Sequence, residues 1–430
     1  MHVLFLHRAF PSQFGHLAAE LSGRYGWRCS FLAEEMGTCP PPSGEMLGKV
    51  DLHRLPPAAG PVGGVTHWMR AQEVAFDLCR RQAAYLRGRP DLRPDLVVGH
   101  CGLGPVLFLD GVVDCPLVSY CEYYHAPAFG DLTYRVDLPP VELASTYPRC
   151  INATTLLGLV ASDSGYSATE AQRRSFPERF RPRLEVHFDG IDTALYRPRP
   201  REAMQLLGRS IPRDAEVITF VSRGLESIRG FDLFLELARV LMRERPDLIA
   251  VVAGSEWSYY AWDRLHTGSP SFKDWATSRA PVDPSRFVFL GQLEPEVIAR
   301  ILARSDLHVY PTVPFVPSWS LFDAMSCGAV VLGSDVGAVA DLVEPGRTGL
   351  LAPLFDLDAQ LDLARRVLDD PAAFAPIGRA ARDRIEAGYS MDVCIPRLRD
   401  YFGRIAGEAE GLGRRPDPAS RSPGGPGPDQ

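Results

Sequence analysis

A short apolar run followed by helical spacing recurs along this chain, and the recurrence comes in two successive series. In the first series, residues 3–7, 29–33, 95–100, 116–120, 158–162 and 184–187 read as strands, with helical spacing over 14–25 and 68–86. In the second, strands are expected at 217–221, 248–253, 287–290, 307–310 and 330–333, with helices at 231–245, 294–304 and 321–327 between them. Strands that alternate with helices predict an α/β fold, in which parallel sheets carry helices on both faces. A chain of 430 residues exceeds what one core usually supports, so two α/β units are expected rather than one large sheet. Prolines in Tyr196-Arg-Pro-Arg-Pro-Arg201 mark the hinge between them. The expected division is a first domain over 1–195 and a second over 196–385. A terminal helix over 386–409 has the option of crossing back to the first domain. Residues 410–430 form a tail too rich in Gly and Pro to offset chain entropy, and are expected to be disordered.

Charge and cysteine usage narrow the function classes. A formal net charge of -7 argues against nucleic acid as a partner. The nine cysteines are scattered and no two have CxxC spacing, which argues against a disulfide framework or zinc site and for the reducing cytosol. The opening MHVLFLHRAF lacks the basic head and long apolar stretch of a signal peptide. No apolar run is long enough to span a bilayer. A soluble, cytoplasmic protein is expected, with peripheral membrane contact left open for the Arg-rich stretch over 172–183, whose plainer reading is a solvated face.

Ligands of open parallel sheets bind beyond the carboxyl ends of the strands, and distinctive residues stand there. The strand at 217–221 runs into Ser222-Arg-Gly-Leu-Glu-Ser-Ile-Arg-Gly230. Arg223 and Arg229 have the forked guanidinium that suits a diphosphate, although this spacing alone also fits two solvated surface arginines. Residues 314–328 enter a helix from a loop of prolines and serines. A helix start near Ser320 and Leu321 offers unpaired amides to phosphate. Asp323 can accept hydrogen bonds from ribose hydroxyls or simply stabilise the helix dipole. His100 closes the strand at 95–100.

Taken in order, Arg-x5-Arg-Gly, Val251-Val-Ala-Gly254, Phe287-Val-Phe-Leu-Gly291, Leu321-Phe-Asp-Ala-Met-Ser-Cys-Gly328, Gly333-Ser-Asp-Val-Gly337 and Glu344-Pro-Gly-Arg-Thr-Gly-Leu-Leu351 resemble the donor domain of family 4 glycosyltransferases. Upstream, Val186-His-Phe-Asp-Gly-Ile-Asp192 is similar to the family's strand leading into an Asn-Gly-Ile-Asp turn. His7, Phe10-Pro11 and Gln13-Phe14 resemble a bacterial subgroup. The resemblance implies the GT-B fold, two Rossmann-like domains facing a cleft, and transfer of a sugar from a nucleotide-sugar donor with retention of configuration. It implies that Arg223 and Arg229, the latter in place of the family's lysine, hold the diphosphate, and that Gly254, Leu290 and Gly291 line the donor site. By the same resemblance Ser320 and Leu321 border the phosphates, Asp323 binds ribose and His100 reaches the transferred sugar. Gly15 and Ser12 match a loop near donor and acceptor, Ser12 replacing a commoner glycine. Glu122 is an acceptor-side candidate, equally readable as a surface carboxylate. The acceptor's class (small molecule, glycan or lipid-linked) is not specified.

One departure concerns the sugar itself. The family has two glutamates separated by seven residues, the first touching the donor sugar; here the second is Asp323 and the first is replaced by Phe315. An aromatic ring cannot accept hydrogen bonds from sugar hydroxyls. A non-catalytic sugar-nucleotide-binding subunit and an epimerase of the same fold are therefore carried as alternatives. No Gly-x-Gly-x-x-Gly follows the first strand, which disfavours a dehydrogenase. No cofactor or metal is implied: Asp356-Leu-Asp358 has the Asp-x-Asp form used elsewhere for divalent cations, but Asp358 reads as a helix cap.

Overall fold

The computed structural model describes residues 1–34, 44–56, 69–126, 130–139, 146–206, 208–259 and 263–411. The first lobe is built on β1 (His2–Leu6), β2 (Arg28–Glu34), β3 (Asp51–Leu55), β4 (Leu96–His100), β5 (Leu117–Tyr120), β6 (Ser164–Ser167) and β7 (Leu184–Val186). Every pairing is parallel, in the order β3-β2-β1-β4-β5-β6-β7. All residues of β1 and β4 are buried, as expected where helices cover both faces of a sheet.

A two-stranded antiparallel unit, β8 (Met204–Leu206) with β9 (Arg209–Ile211), leads into the second lobe. Its sheet contains β10 (Glu216–Gly224), β11 (Leu248–Ser255), β12 (Phe287–Phe289), β13 (Leu307–Tyr310), β14 (Val331–Ser334) and β15 (Leu350–Ala352), ordered β12-β11-β10-β13-β14-β15 and again parallel. In each sheet the first strand lies inside, and the order reverses beside it, between β1 and β4 and between β10 and β13. Such reversals leave a crevice at the strand ends where ligands settle.

The helix Phe231–Glu244 shows why these elements form. Phe231, Phe234, Leu235, Leu237, Ala238, Leu241 and Met242 recur at helical spacing, and all are buried against the second sheet. Sequence and structure part at 158–162. That apolar run is the last turn of the helix Tyr147–Ala161, and the strand follows at Ser164–Ser167. A buried apolar segment of this length has no periodicity that separates strand from helix. Asp51-Leu-His-Arg-Leu55 forms β3 although only two of its residues are apolar. The helix Leu357–Asp369 is capped by Asp356, whose carboxylate accepts from the Ala359 amide at 2.9 Å, and Asp358 lies within its first turn.

The last helix, Met391–Gly411, packs on the first lobe. Tyr401 meets the Ser164 hydroxyl at 2.8 Å, and the ring of Phe402 lies against Phe5 and Tyr166. The chain thus passes between the lobes twice, and the two passages are paired through Ile191 and Ser390. The tail from 412 onward lies outside the described residues. Among the described residues, no helix is long and apolar enough to cross a membrane.

Candidate active site

Three side chains gather at the carboxyl ends of the first sheet. His100 ends β4 and is buried; its Nδ1 accepts the amides of Gly102 and Leu103 at 3.1 and 3.2 Å. The ring proton therefore sits on Nε2, which faces Glu122 Oε2 at 3.4 Å. Burial pushes the Glu122 carboxyl up, but the hydrogen bond from His100 and the charge of Arg223 outweigh it and hold it at about 2. His7 stands edge-on to His100, with ring centres 5.3 Å apart. Burial, reinforced by His100, lowers its imidazole to about 3, so it is neutral at physiological pH.

The loop after β1 folds back over this group. Ser12 Oγ is 3.2 Å from His7 Nε2, at a residue with φ of 41°. Gly15 donates its amide to the Pro11 carbonyl at 2.8 Å, and a Cβ there would stand 2.2 Å from Pro11 Cβ. Gln13 reaches the opposite way and donates to the carboxyl of Asp189, which burial raises to about 7. His16 touches the Asp189 carbonyl at 3.2 Å and meets Trp319 of the second lobe edge-on.

Across the gap, Arg223 at the end of β10 is exposed, its guanidinium 4.2 Å from the centre of the Tyr259 ring. The lobes meet nearby, where Tyr123 Oη donates to the Pro314 carbonyl at 3.0 Å and the His16 ring lies 5.6 Å from that of Trp319. Arg229 is buried instead. It donates to the Val316 carbonyl at 2.8 Å and Tyr310 Oη at 3.2 Å, and lies over the ring of Phe315. The two arginines are thus differently disposed, one presented to the cleft and one bracing the 314–318 loop. Gly230 ends their segment with φ of 69°, and a Cβ there would lie 1.9 Å from the Pro311 carbonyl oxygen.

Gly254 donates its amide to the Gly291 carbonyl at 2.8 Å, and a Cβ on it would be 2.5 Å from the Ser222 carbonyl oxygen. Leu290 is buried and Gly291 exposed. Ser320 Oγ lies 2.7 Å from Ser318 Oγ just inside the helix Trp319–Ser326. Leu321 is wholly buried, and its amide is occupied by the Ser318 carbonyl at 3.1 Å. Asp323 is 8% exposed, and burial, with the charge of Asp192, drives its carboxyl well above the usual range. A ribose hydroxyl arriving there would relieve that desolvation.

Phe315 is 4% exposed. Tyr123 stands edge-on to it at 5.0 Å, His125 lies nearly parallel at 6.2 Å, and Tyr123 Oη donates to the Pro314 carbonyl at 3.0 Å. The Arg-rich stretch is largely tied down. Arg173 pairs with Glu170, Arg174 with Asp341 of the second lobe, and Arg181 and Arg183 donate to backbone carbonyls.

The family profile described as glycosyl transferase family 4 group matches residues 27–196, and that described as glycosyl transferases group 1 matches 215–370. The chain belongs to the family 4, group 1 glycosyltransferases. D-inositol 3-phosphate glycosyltransferase of Streptomyces avermitilis is 28% identical over 422 residues, 83% of this chain and 87% of that protein. The Gordonia bronchialis protein of the same name is 28% identical over 233 residues, 52% of this chain, and the chain spans only 47% of that relative's length. Among solved structures, sucrose-phosphate synthase of Thermosynechococcus elongatus aligns with a TM-score of 0.67 at 17% identity, over 95% of this chain and 99% of its own. Anabaena HepE in complex with UDP-glucose aligns at 0.65 and 14%, over 94% and 100%. These likenesses establish the two-lobed GT-B fold.

For a family member, the site holds residues that spacing did not single out: Tyr259 under Arg223, Asp189 under Gln13, and Tyr123 and His125 against Phe315. Asp189 stands where the family's turn has Asn, and that substitution was the one available signal. Tyr259 and His125 owe their places to contacts between segments far apart in sequence, which leave no local pattern.

Proposed function

We propose that this chain moves a sugar from a nucleoside-diphosphate sugar to an acceptor hydroxyl, with retention of configuration and without a metal. The observation that carries this reading is the placing of the His100–Glu122 pair at the strand ends of one lobe and of Arg223 at a strand end of the other, with the lobes in contact beside them through Tyr123 and the Pro314 carbonyl. In glycosyl transfer the bond from the anomeric carbon to the diphosphate breaks as the bond to the acceptor oxygen forms. The acceptor's proton passes to the departing diphosphate on the same face. Negative charge grows on the diphosphate, and a fixed cation there stabilises the transition state more than the ground state. Arg223 supplies that cation, while Arg229 shapes the 314–318 loop beside it. Asp323 receives the ribose, and the strand-end backbone at Gly254, Leu290 and Gly291 borders the base. His100 contacts the sugar, and Ser12, Gly15 and Glu122 face the acceptor. The reaction takes place in the cytoplasm, at a membrane surface where the acceptor is lipid-linked.

Incubating the protein with a panel of nucleotide sugars, with and without acceptors, tests the reading. The relatives' names make inositol 3-phosphate the first acceptor to try. Acceptor-dependent release of nucleotide is expected; an isomerised donor would indicate an epimerase, and binding without turnover a non-catalytic subunit. Arg223→Ala is expected to lower turnover by about 10²–10³-fold, the usual scale for losing one such donor. Wild-type turnover in that variant would remove Arg223 from the mechanism.

A further inference from the structure

A sugar carried on a diphosphate presents several hydroxyls, and each one buried without an acceptor costs binding free energy. The 314–318 loop, braced by Arg229 and leading into the helix Trp319–Ser326, is the part of the second lobe beside which such a sugar would lie, and its buried side chain is Phe315, which accepts nothing. Two polar rings of the first lobe lie against Phe315: that of Tyr123, whose hydroxyl is spent on the Pro314 carbonyl, and that of His125.

His125 is held on three sides. Its amide donates to Asn152 Oδ1 at 2.9 Å and its carbonyl accepts from Asn152 Nδ2 at 2.7 Å, which fixes the backbone. Its Nδ1 lies 2.8 Å from Asp131 Oδ2. Asp131 is 1% exposed, and its other oxygen, Oδ1, is buried with no hydrogen-bond partner. A carboxylate accepts only, so the proton of the neutral imidazole sits on Nδ1 and Nε2 is left as a bare acceptor. Among the described residues Nε2 makes no hydrogen bond. A buried carboxylate that spends one oxygen on a single imidazole, and leaves the other unsatisfied, orients that ring at a cost a purely structural histidine would not require.

Resting on the transferase reading above, we propose that His125, oriented by Asp131, accepts a hydroxyl of the donor sugar and so takes over the recognition that Phe315 cannot perform. His125 contacts the sugar; Asp131 is a positioning residue.

The test uses the full chain, nucleotide sugars that it turns over, their monodeoxy analogues, and the matching free nucleoside diphosphates. His125→Phe keeps an aromatic ring against Phe315 and removes the acceptor; Asp131→Asn keeps the shape and weakens the hold on the tautomer. The wild type is expected to disfavour one monodeoxy donor by roughly 10–100-fold in kcat/KM, the scale set by leaving one buried acceptor without its partner. In His125→Phe that discrimination should vanish, while the dissociation constant for the nucleoside diphosphate, measured by calorimetry, stays within about twofold. Asp131→Asn should lose part of the discrimination, with the same unchanged diphosphate affinity. Unaltered discrimination in both variants would overturn the inference and leave the transferase reading standing. If His125→Phe does not fold, as judged by lost diphosphate binding, Asp131→Asn decides alone. A wild type that turns over no nucleotide sugar would sink the transferase reading, and this inference with it.

Discussion

Asp189 shows what a single carboxyl can carry. It lies buried between Gln13 and the start of the inter-lobe passage, and burial raises it to about 7, well above the value near 4 of an unfolded chain. The native state therefore holds its proton more tightly, and folding takes up a proton across about pH 4–7. Stability contributed by this residue falls as pH rises through that window. Asparagine, which can still accept from Gln13, removes the dependence. Asp189→Asn is expected to melt at a higher temperature than wild type at pH 8, with the gap narrowing as pH falls towards about 4; a gap that does not change with pH would assign the carboxyl no such role. At this scale the sequence disclosed residues that follow directly on a strand. His100 and Arg223 stood out because an apolar run ended on them. Asp131 did not, since what gives it meaning is the imidazole of His125, and Phe315, which the sequence offered as a departure from its family, meets that ring from a segment more than a hundred residues away.

Strands and helices were legible where their periodicity was long. The helix Phe231–Glu244 could be placed from spacing alone, whereas the apolar end of Tyr147–Ala161 mimicked a strand. The turns between elements depend more on backbone shape, and two glycines separate the contributions. Gly230 and Gly291 have nearly the same φ, 69° and 67°. A Cβ at Gly230 would collide with the Pro311 carbonyl, while one at Gly291 meets nothing within 4 Å. Gly291→Ala should cost only the left-handed backbone penalty, about 1–2 kcal/mol. Gly230→Ala adds the collision and should cost about 3 kcal/mol or more, displacing Arg223 and Arg229 together. Urea denaturation of the two variants checks the order, and equal losses would mean that the Pro311 contact yields freely.

At the level of the whole molecule, the lobes are joined by more than the hinge. Residues 130–139 leave the first lobe and dock on the second, where Arg135 donates to Asp232 Oδ1 at 3.0 Å and to the Ser227 carbonyl at 2.7 Å. Arg135 is 4% exposed. Removing one partner of a buried pair costs about 3–5 kcal/mol when the remaining charge is left unpaired; Arg135 keeps its pair with Asp137 at 2.7 Å, so loss of Asp232 should cost less than that. Opening the lobes would hydrate Arg135, so this cost should appear as opening rather than unfolding. Asp232→Ala is expected to raise the radius of gyration in small-angle scattering and speed proteolysis between the lobes, with far-ultraviolet circular dichroism unchanged. An unaltered scattering curve would show that the clamp does not hold the closed form. The two passages between the lobes are also paired, at Ile191 and Ser390. Ile191 donates its amide to the Tyr389 carbonyl at 2.8 Å and accepts from the Met391 amide at 2.9 Å, which ties the two passages to each other. The same pairing bears on how such chains recombine. A hybrid that takes its amino-terminal lobe from another parent has to take the 21 residues of Met391–Gly411 from that parent too, because the last helix completes the core of the lobe with which the chain begins.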